Sequence, residues 1–247
     1  MKITKSVYLV GDGARGISHA MDCCVYLLNC GGKWLMIDAG GGSGGEAIVS
    51  NMKEDGVAPQ DIDYIALTHS HADHACGAKF FKDRFGTKIL ASEVDAKAIE
   101  GGTDEELGLN IARGPIYPSD FKYIHCGVDK SVKDGEEIQV GDRTLKFIVI
   151  PGHTPGAMCI LDRQERILFP GDVVFFNGTI GLGNWPGSDL SVYRNHIGKL
   201  SGLGVEQLFP GHFMFTVRGG QSHLDKAVAN LKMPSVPPVW GHNHPAT

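Results

Sequence analysis

An α/β protein with well-covered sheets is the fold class this sequence predicts. The first observation behind it is that apolar, β-rich runs alternate with stretches of helical periodicity. The second is that three such runs end in Pro-Gly followed by a His or Asp: "VIPGHTPG", "ILFPGDVVF" and "QLFPGH". The third is glycine, at 34 residues and without collagen or linker periodicity, which indicates many tight turns and close backbone approaches.

Taken in order, "CCVYLLNC" and "KWLMIDAG" are strands joined through Gly31-Gly32, a hairpin signal. Residues 46–55 place Ile48, Val49 and Met52 at helical spacing, and Gly56 ends that helix. "DYIALTH" reads as a buried strand, "AKFFKDRFG" as a short helix, "TKILAS" as a strand and the region near 93–100 as a helix. Residues 101–120, irregular and holding two prolines, are expected to form a loop or lid. "TLKFIVI", "MCILD" and "RILFPGD" are strands, the last two joined by a tight turn. A helix from about Leu190 to Leu200, the strand "VEQLFPGH" and a helix near 222–232 follow. The proline-rich tail "PSVPPVWGHNHPAT" is expected to hold no regular structure.

The bulk numbers narrow the function classes. At 247 residues, 42% hydrophobic and 21% charged, the chain reads as one globular domain over 1–247 with an irregular tail at 233–247. With 23 basic and 28 acidic residues the net charge is −5, which speaks against nucleic acid or an anionic membrane as partner and for a small-molecule substrate. The N-terminus has an apolar run of only four residues before Gly11 and reads as no signal peptide. No window approaches the roughly 20 apolar residues that span a bilayer. Six cysteines without CxxC pairing read as reduced, buried thiols in a cytoplasmic protein. Nothing bears on oligomeric state, and a homo-oligomer stays open.

The chemistry concentrates in "THSHADHACG". His69 and His71 are two apart in an extended segment, so both imidazoles face one way. Asp73 and His74 sit where the chain turns into a helix, which aims them at a second point. Nitrogen and carboxylate oxygen donors suit zinc, with iron or manganese left open. Four candidate ligands at the end of a buried strand outweigh the reading as a polar loop with solvated histidines. His153, Asp172 and His212, each after an apolar strand and Pro-Gly, add three more. Asp38, ending "LMIDAG", reads as a residue that orients ligands by hydrogen bonds.

HxHxDH followed by a separate His, Asp and His, each after an apolar strand, resembles the metallo-β-lactamase-fold superfamily of metal hydrolases over roughly residues 6 to 215. The resemblance implies an αββα sandwich, two mixed sheets face to face with helices outside and metals at one edge. It implies two zinc ions: one held by His69, His71 and His153, a second by Asp73, His74 and His212, with Asp172 between them. A hydroxide shared by such metals would attack a carbonyl, with Asp73 orienting the nucleophile and passing a proton to the leaving group.

Within that superfamily, β-lactamases generally lack the bridging Asp, so Asp172 counts against antibiotic hydrolysis. RNA-processing members share the ligands but meet nucleic acid, which the acidic balance disfavours. Acyl-homoserine lactonases carry a Tyr where this chain has Phe175. "GDVVFFNGTIGLGNWPGSD" is most similar to the Gly-Asp-x-x-Phe segment of glyoxalase II-like thioesterases. Two departures stand out: the basic residue that contacts glutathione is replaced around Leu182, and the long helical C-terminal domain of the eukaryotic enzymes is expected to have no counterpart, which speaks against glutathione as the acyl carrier. The Gly-Asp-x-x-Phe match makes a thioester the expected substrate, with a lactone or other carbonyl or phosphoester substrate as alternative. A further alternative is a mononuclear iron persulfide dioxygenase using His69, His153 and Asp172. The diiron domain of flavodiiron proteins is disfavoured by His71, where those carry Glu.

Other residues have weaker claims. His19, in the 11–22 loop with Met21, reads as a surface residue ahead of a substrate contact. Asn184 and Trp185, in the 177–188 loop, divide evenly between lining a pocket and packing. Cys76 reads as a buried small side chain, His242 and His244 as solvent-exposed, and His125, His196 and His223 have no site context.

Overall fold

The computed structural model describes residues 1–240. In chain order the elements are β1 (Val7–Gly11), β2 (Val25–Asn29), β3 (Trp34–Ile37), α1 (Gly45–Glu54), β4 (Ile62–Ala66), α2 (Ala72–Ala75), α3 (Ala78–Phe85), β5 (Lys88–Ser92), α4 (Glu93–Gly101) and α5 (Leu109–Ala112). The second half holds β6 (Lys130–Val132), β7 (Glu137–Val140), β8 (Arg143–Val149), β9 (Met158–Asp162), β10 (Ile167–Gly171), β11 (Ile180–Gly181), α6 (Leu190–His196), β12 (Gln207–Pro210), α7 (Gly220–Lys232) and β13 (Val239–Trp240).

Two large mixed sheets result, with a small two-stranded sheet of β11 and β13 beside them. One has the order β1-β2-β3-β4-β5-β6, the other β12-β10-β9-β8-β7. The strands read as near-continuous apolar runs because both of their faces are covered. Successive side chains serve different layers. In β2, Tyr26 and Leu28 join the layer between the sheets with Phe147, Ile160 and Phe169, while Val25 and Leu27 face the other way, toward Ile48, Met52 and Phe81. In β9, Met158 and Ile160 enter the middle layer, and Cys159 and Leu161 meet Tyr193, Leu224 and Val228 on the far side. The layers are therefore α, β, β and α, as expected.

The helices obey local rules. Ser92 caps α4 by accepting from Asp95 N at 3.2 Å, and Asp189 caps α6 by accepting from Ser191 N at 2.7 Å. Gly86, at φ 71°, ends α3 in the left-handed conformation. Leu224, Ala227, Val228 and Leu231 give α7 one buried stripe. Among the described residues no helix is long and apolar enough to cross a membrane.

Topology sets the site. Strands β8 and β9 pair antiparallel, as do β9 and β10, and β10 pairs parallel with β12. Hence β8, β10 and β12 run the same way, and their C-terminal ends share one edge of the sheet. The C-terminal end of β4 meets that edge from the other sheet, where Met158 N donates to Thr68 O at 2.9 Å and Cys24 N donates to Gly211 O at 2.7 Å.

Two expectations are corrected. Residues 101–120 are not merely irregular: they contain α5, and Leu107, Leu109, Ala112 and Tyr117 bury against Ala72 and Cys76. The tail is not without regular structure: Val239–Trp240 pair parallel with Ile180–Gly181. Proline lacks a donor but keeps its carbonyl, and Pro238 O accepts from Ile180 N at 3.1 Å. His242 and His244 lie outside the described residues. Strands β1, β6, β7 and β11 are additional to the sequence reading.

Candidate metal centre

All seven candidate ligands meet at this edge. His69 and His71 follow β4, with His71 at the N-cap of α2, and Asp73 and His74 lie in the first turn of that helix. His153 follows β8, Asp172 follows β10 and His212 follows β12. The Pro-Gly pattern now has a steric reason. Gly171 has φ 52° and sits against Thr68, while a Cβ on Gly211 would fall 2.4 Å from Asp172 Oδ1 and 2.6 Å from His74 Cε1.

The ligands form two sets. His69 Nε2, His71 Nδ1 and His153 Nε2 lie within 3.0–3.1 Å of one another. Asp73 Oδ2 is 3.1 Å from His212 Nε2 and 3.5 Å from His74 Nε2, and the two histidine nitrogens are 3.2 Å apart. Asp172 reaches both sets: Oδ2 is 3.7 Å from His153 Nε2 and 3.4 Å from His212 Nε2, and Oδ1 is 3.5 Å from His74 Nε2. Tetrahedral zinc with Zn–N of about 2.0–2.1 Å places its ligand nitrogens about 3.3 Å apart, so the first set fits such an ion with little movement. Asp172 Oδ1 is also buried without a hydrogen bond, a donor atom aimed at the cluster.

The electrostatics agree with that donor chemistry. Burial, and then the positive charge of neighbouring histidines, holds His69 well below the usual imidazole range and His71 down at about 3, so both are neutral. Burial also lowers His153. For His74 and His212 burial works downward too, but surrounding groups, Asp172 and Asp73 among them, outweigh it and raise both. Burial would raise the carboxyls, yet the charge of His74 and His212 overcomes it, bringing Asp172 to about 2 and Asp73 lower still. The carboxylate-bearing set therefore attracts positive charge, which a divalent cation supplies more compactly than two imidazolium rings.

Three of the rings are held from behind. His74 Nδ1 donates to Asp38 Oδ2 at 2.8 Å. His69 Nδ1 is 3.0 Å from Thr68 Oγ1, whose hydroxyl donates to Asp38 Oδ2 at 2.8 Å. Asp38 thus orients one ring of each set, as expected, and does so from a left-handed backbone at φ 59°. His153 Nδ1 donates to Gly181 O at 3.1 Å.

Sequence reasoning missed three supporting residues. Tyr117 donates its hydroxyl to Asp73 Oδ1 at 2.7 Å. Burial, reinforced by the Asp73 charge, pushes that hydroxyl well up, so it stays a donor. Asp95 accepts from Ser70 N at 3.0 Å, Thr154 Oγ1 at 2.7 Å and Gly156 N at 2.9 Å, tying the loop of His69 and His71 to that of His153. Trp240 packs its ring 4.8 Å from His212. The only signal for Tyr117 was its place in "GPIYPSD", a segment already read as a lid.

The weaker candidates separate. Trp185 Nε1 donates to His153 O at 2.9 Å and its ring stands 5.2 Å from His71, so it both packs and lines the groove. Asn184 and His19 are exposed, and Met21 packs near Tyr117. Cys76 is a buried thiol that accepts from Ile124 N at 3.4 Å. All six cysteines are free and buried. Cys23 lies with Asp38 and His74, and burial pushes its thiol well up. His125 Nδ1 meets Ile99 O at 3.1 Å, His196 Nδ1 meets Val192 O at 2.9 Å and His223 Nδ1 accepts from Asn177 N at 2.9 Å, all three bonds being made outside the site.

A four-layer sandwich with clustered His and Asp at one strand-end edge defines a class of proteins built around a metal centre. This chain belongs to the metallo-beta-lactamase superfamily, whose sequence model it matches over residues 21–212. It is 31% identical over 173 residues to an acyl-coenzyme A thioesterase of Gallus gallus, covering 64% of this chain and 59% of that protein. It is 29% identical over 129 residues to a hydroxyacylglutathione hydrolase of Rhizobium etli, covering 52% of this chain and 40% of that one. The chain thus spans little more than half of these relatives' length at most. A metallo-beta-lactamase family protein of Thermus thermophilus superposes with a TM-score of 0.71 at 20% identity, covering 92% of this chain and 80% of that structure, and shows the same fold.

Proposed function

We propose that this chain is a dinuclear metal-dependent hydrolase of thioesters. The observation that carries the reading is Asp172, whose carboxylate reaches both His153 and His212, one residue of each donor set. His69, His71 and His153 would hold one ion, Asp73, His74 and His212 the other, with Asp172 between them. The ions, zinc first with iron or manganese as alternatives, would supply Lewis acidity and a water of lowered pKa.

The chain's own residues do the rest. Asp73 is fixed by Tyr117 at Oδ1, which leaves Oδ2 facing His212 and the second set. Asp73 would orient the attacking water and pass its proton on to the departing sulfur. The water oxygen bonds to the carbonyl carbon, the C–S bond breaks, and the products are a carboxylic acid and a thiol. Asp38 and Asp95 hold the loops that carry the ligands. The thioester choice is supported by the names of the two relatives, a thioesterase and a hydroxyacylglutathione hydrolase, and by Phe175 where lactonases of this fold carry Tyr.

The test is a panel of thioesters, lactones, phosphodiesters and β-lactams offered to zinc-loaded protein. Thioesters should be turned over fastest. Oxygen consumption by iron-loaded protein with a persulfide, in the absence of thioesterase activity, would replace this reading with the dioxygenase one.

A further inference from the structure

The groove in front of the donor sets has a polar floor and apolar walls. His71, Asp73, His153 and Asp172 form the floor. Leu107, Ile111, Ile116, Trp185 and Trp240 supply its apolar lining. Gly108 passes close to the Trp185 side chain: a Cβ there would lie 3.2 Å from Trp185 Cβ. Among the described residues no Lys or Arg lines the groove. Ile111 is half-buried and Ile116 is 38% exposed, and both line the same groove as those four polar side chains.

This arrangement separates the two ends of a thioester. An anionic thiol carrier needs cations, and the walls offer none. An apolar acyl group, by contrast, removes the isoleucine and tryptophan surfaces from water as it enters, which is the main favourable contribution such a groove can make. A charged or strongly polar acyl group would lose hydration there without gaining a partner.

Resting on the hydrolase reading above, we propose that this groove binds the acyl half of the substrate, and that this half is an uncharged, apolar chain of several carbons selected by Ile111 and Ile116. The carrier end then projects out of the groove.

Zinc-loaded full-length protein would be assayed with N-acetylcysteamine thioesters of acetate, butyrate, hexanoate and succinate, a series with one uncharged carrier. The value of kcat/KM should rise about fourfold per methylene over the first additions, and the succinyl thioester should fall at or below the acetyl one. Ile111→Ser and Ile116→Asn should each lower the hexanoyl-to-acetyl ratio several-fold. Ile116→Trp, which fills the groove instead of opening it, should shift the preference to shorter chains and guards against a variant that fails to fold. Brisk hydrolysis with no chain-length dependence, or a preference for the succinyl thioester, overturns the acyl groove and leaves the hydrolase reading standing. No turnover of any thioester overturns the hydrolase reading, and the acyl groove with it.

Discussion

Tyr117 Oη donates to Asp73 Oδ1 at 2.7 Å, joining residues 44 apart in sequence. It couples the 101–120 segment to the proposed proton-handling carboxylate, because Asp73 Oδ2 alone is left for the second donor set. Tyr117→Phe removes this bond to a charged acceptor, and kcat/KM should fall about tenfold. Metal content, measured on the same sample, should stay at the wild-type value, since every proposed ligand is retained.

Asp38 acts on both donor sets at once, directly through His74 and through Thr68 on His69. Asp38→Asn keeps the size, and Asn tolerates the left-handed backbone at φ 59°. It loses an acceptor, however, so zinc affinity should drop about 10- to 100-fold. Competition with a chromophoric chelator would measure the change, and unaltered affinity would remove Asp38 from the account.

Asp95 predicts a pH effect. Burial pushes its carboxyl up to about 6, against hydrogen bonds from Thr154, Ser70 and Gly156 that pull it down. In the unfolded chain the value is about 3.9. Between those values the folded chain binds more protons, so Asp95's contribution to stability declines as pH rises from about 4 to about 6 and is level above. Urea unfolding of chelator-stripped protein at pH about 4.5 and about 7 should show wild type losing stability relative to Asp95→Asn over that interval.

Arg143 is a purely structural case. It is 5% exposed and pairs with Asp162 and Glu165, while Nε donates to Asn29 O at 2.6 Å and one terminal nitrogen donates to Ser6 Oγ at 3.1 Å. It therefore ties the edge of one sheet to the other. Arg143→Leu leaves Asp162 buried without its cation and should cost about 3–5 kcal/mol in chemical denaturation.

These four cases show which parts of the molecule were legible in the sequence. His69, His71, Asp73 and His74 were readable because their spacing is local and few other chemistries concentrate such residues at a strand end. His153, Asp172 and His212 shared a repeated context, the apolar run and Pro-Gly, which the structure explains by the crowding around Gly171 and Gly211. The four layers needed the family resemblance, because apolar runs reveal covered strands but not which sheets they join. Tyr117 and Asp95 were illegible for a different reason. Each is an ordinary residue type whose role rests on contacts 44 and 59 positions away, and no local pattern records those. The strand at Val239–Trp240 was hidden by its prolines, which forbid a donor but leave an acceptor.

The central claim, two cooperating metal ions, is tested most directly by zinc titration of chelator-stripped protein with metal analysis and thioester hydrolysis read on the same samples. Activity should climb to a plateau at two zinc ions per chain, and His212→Ala should bind about one and hydrolyse poorly. Full activity at one ion per chain, or undiminished activity in His69→Ala, would contradict it.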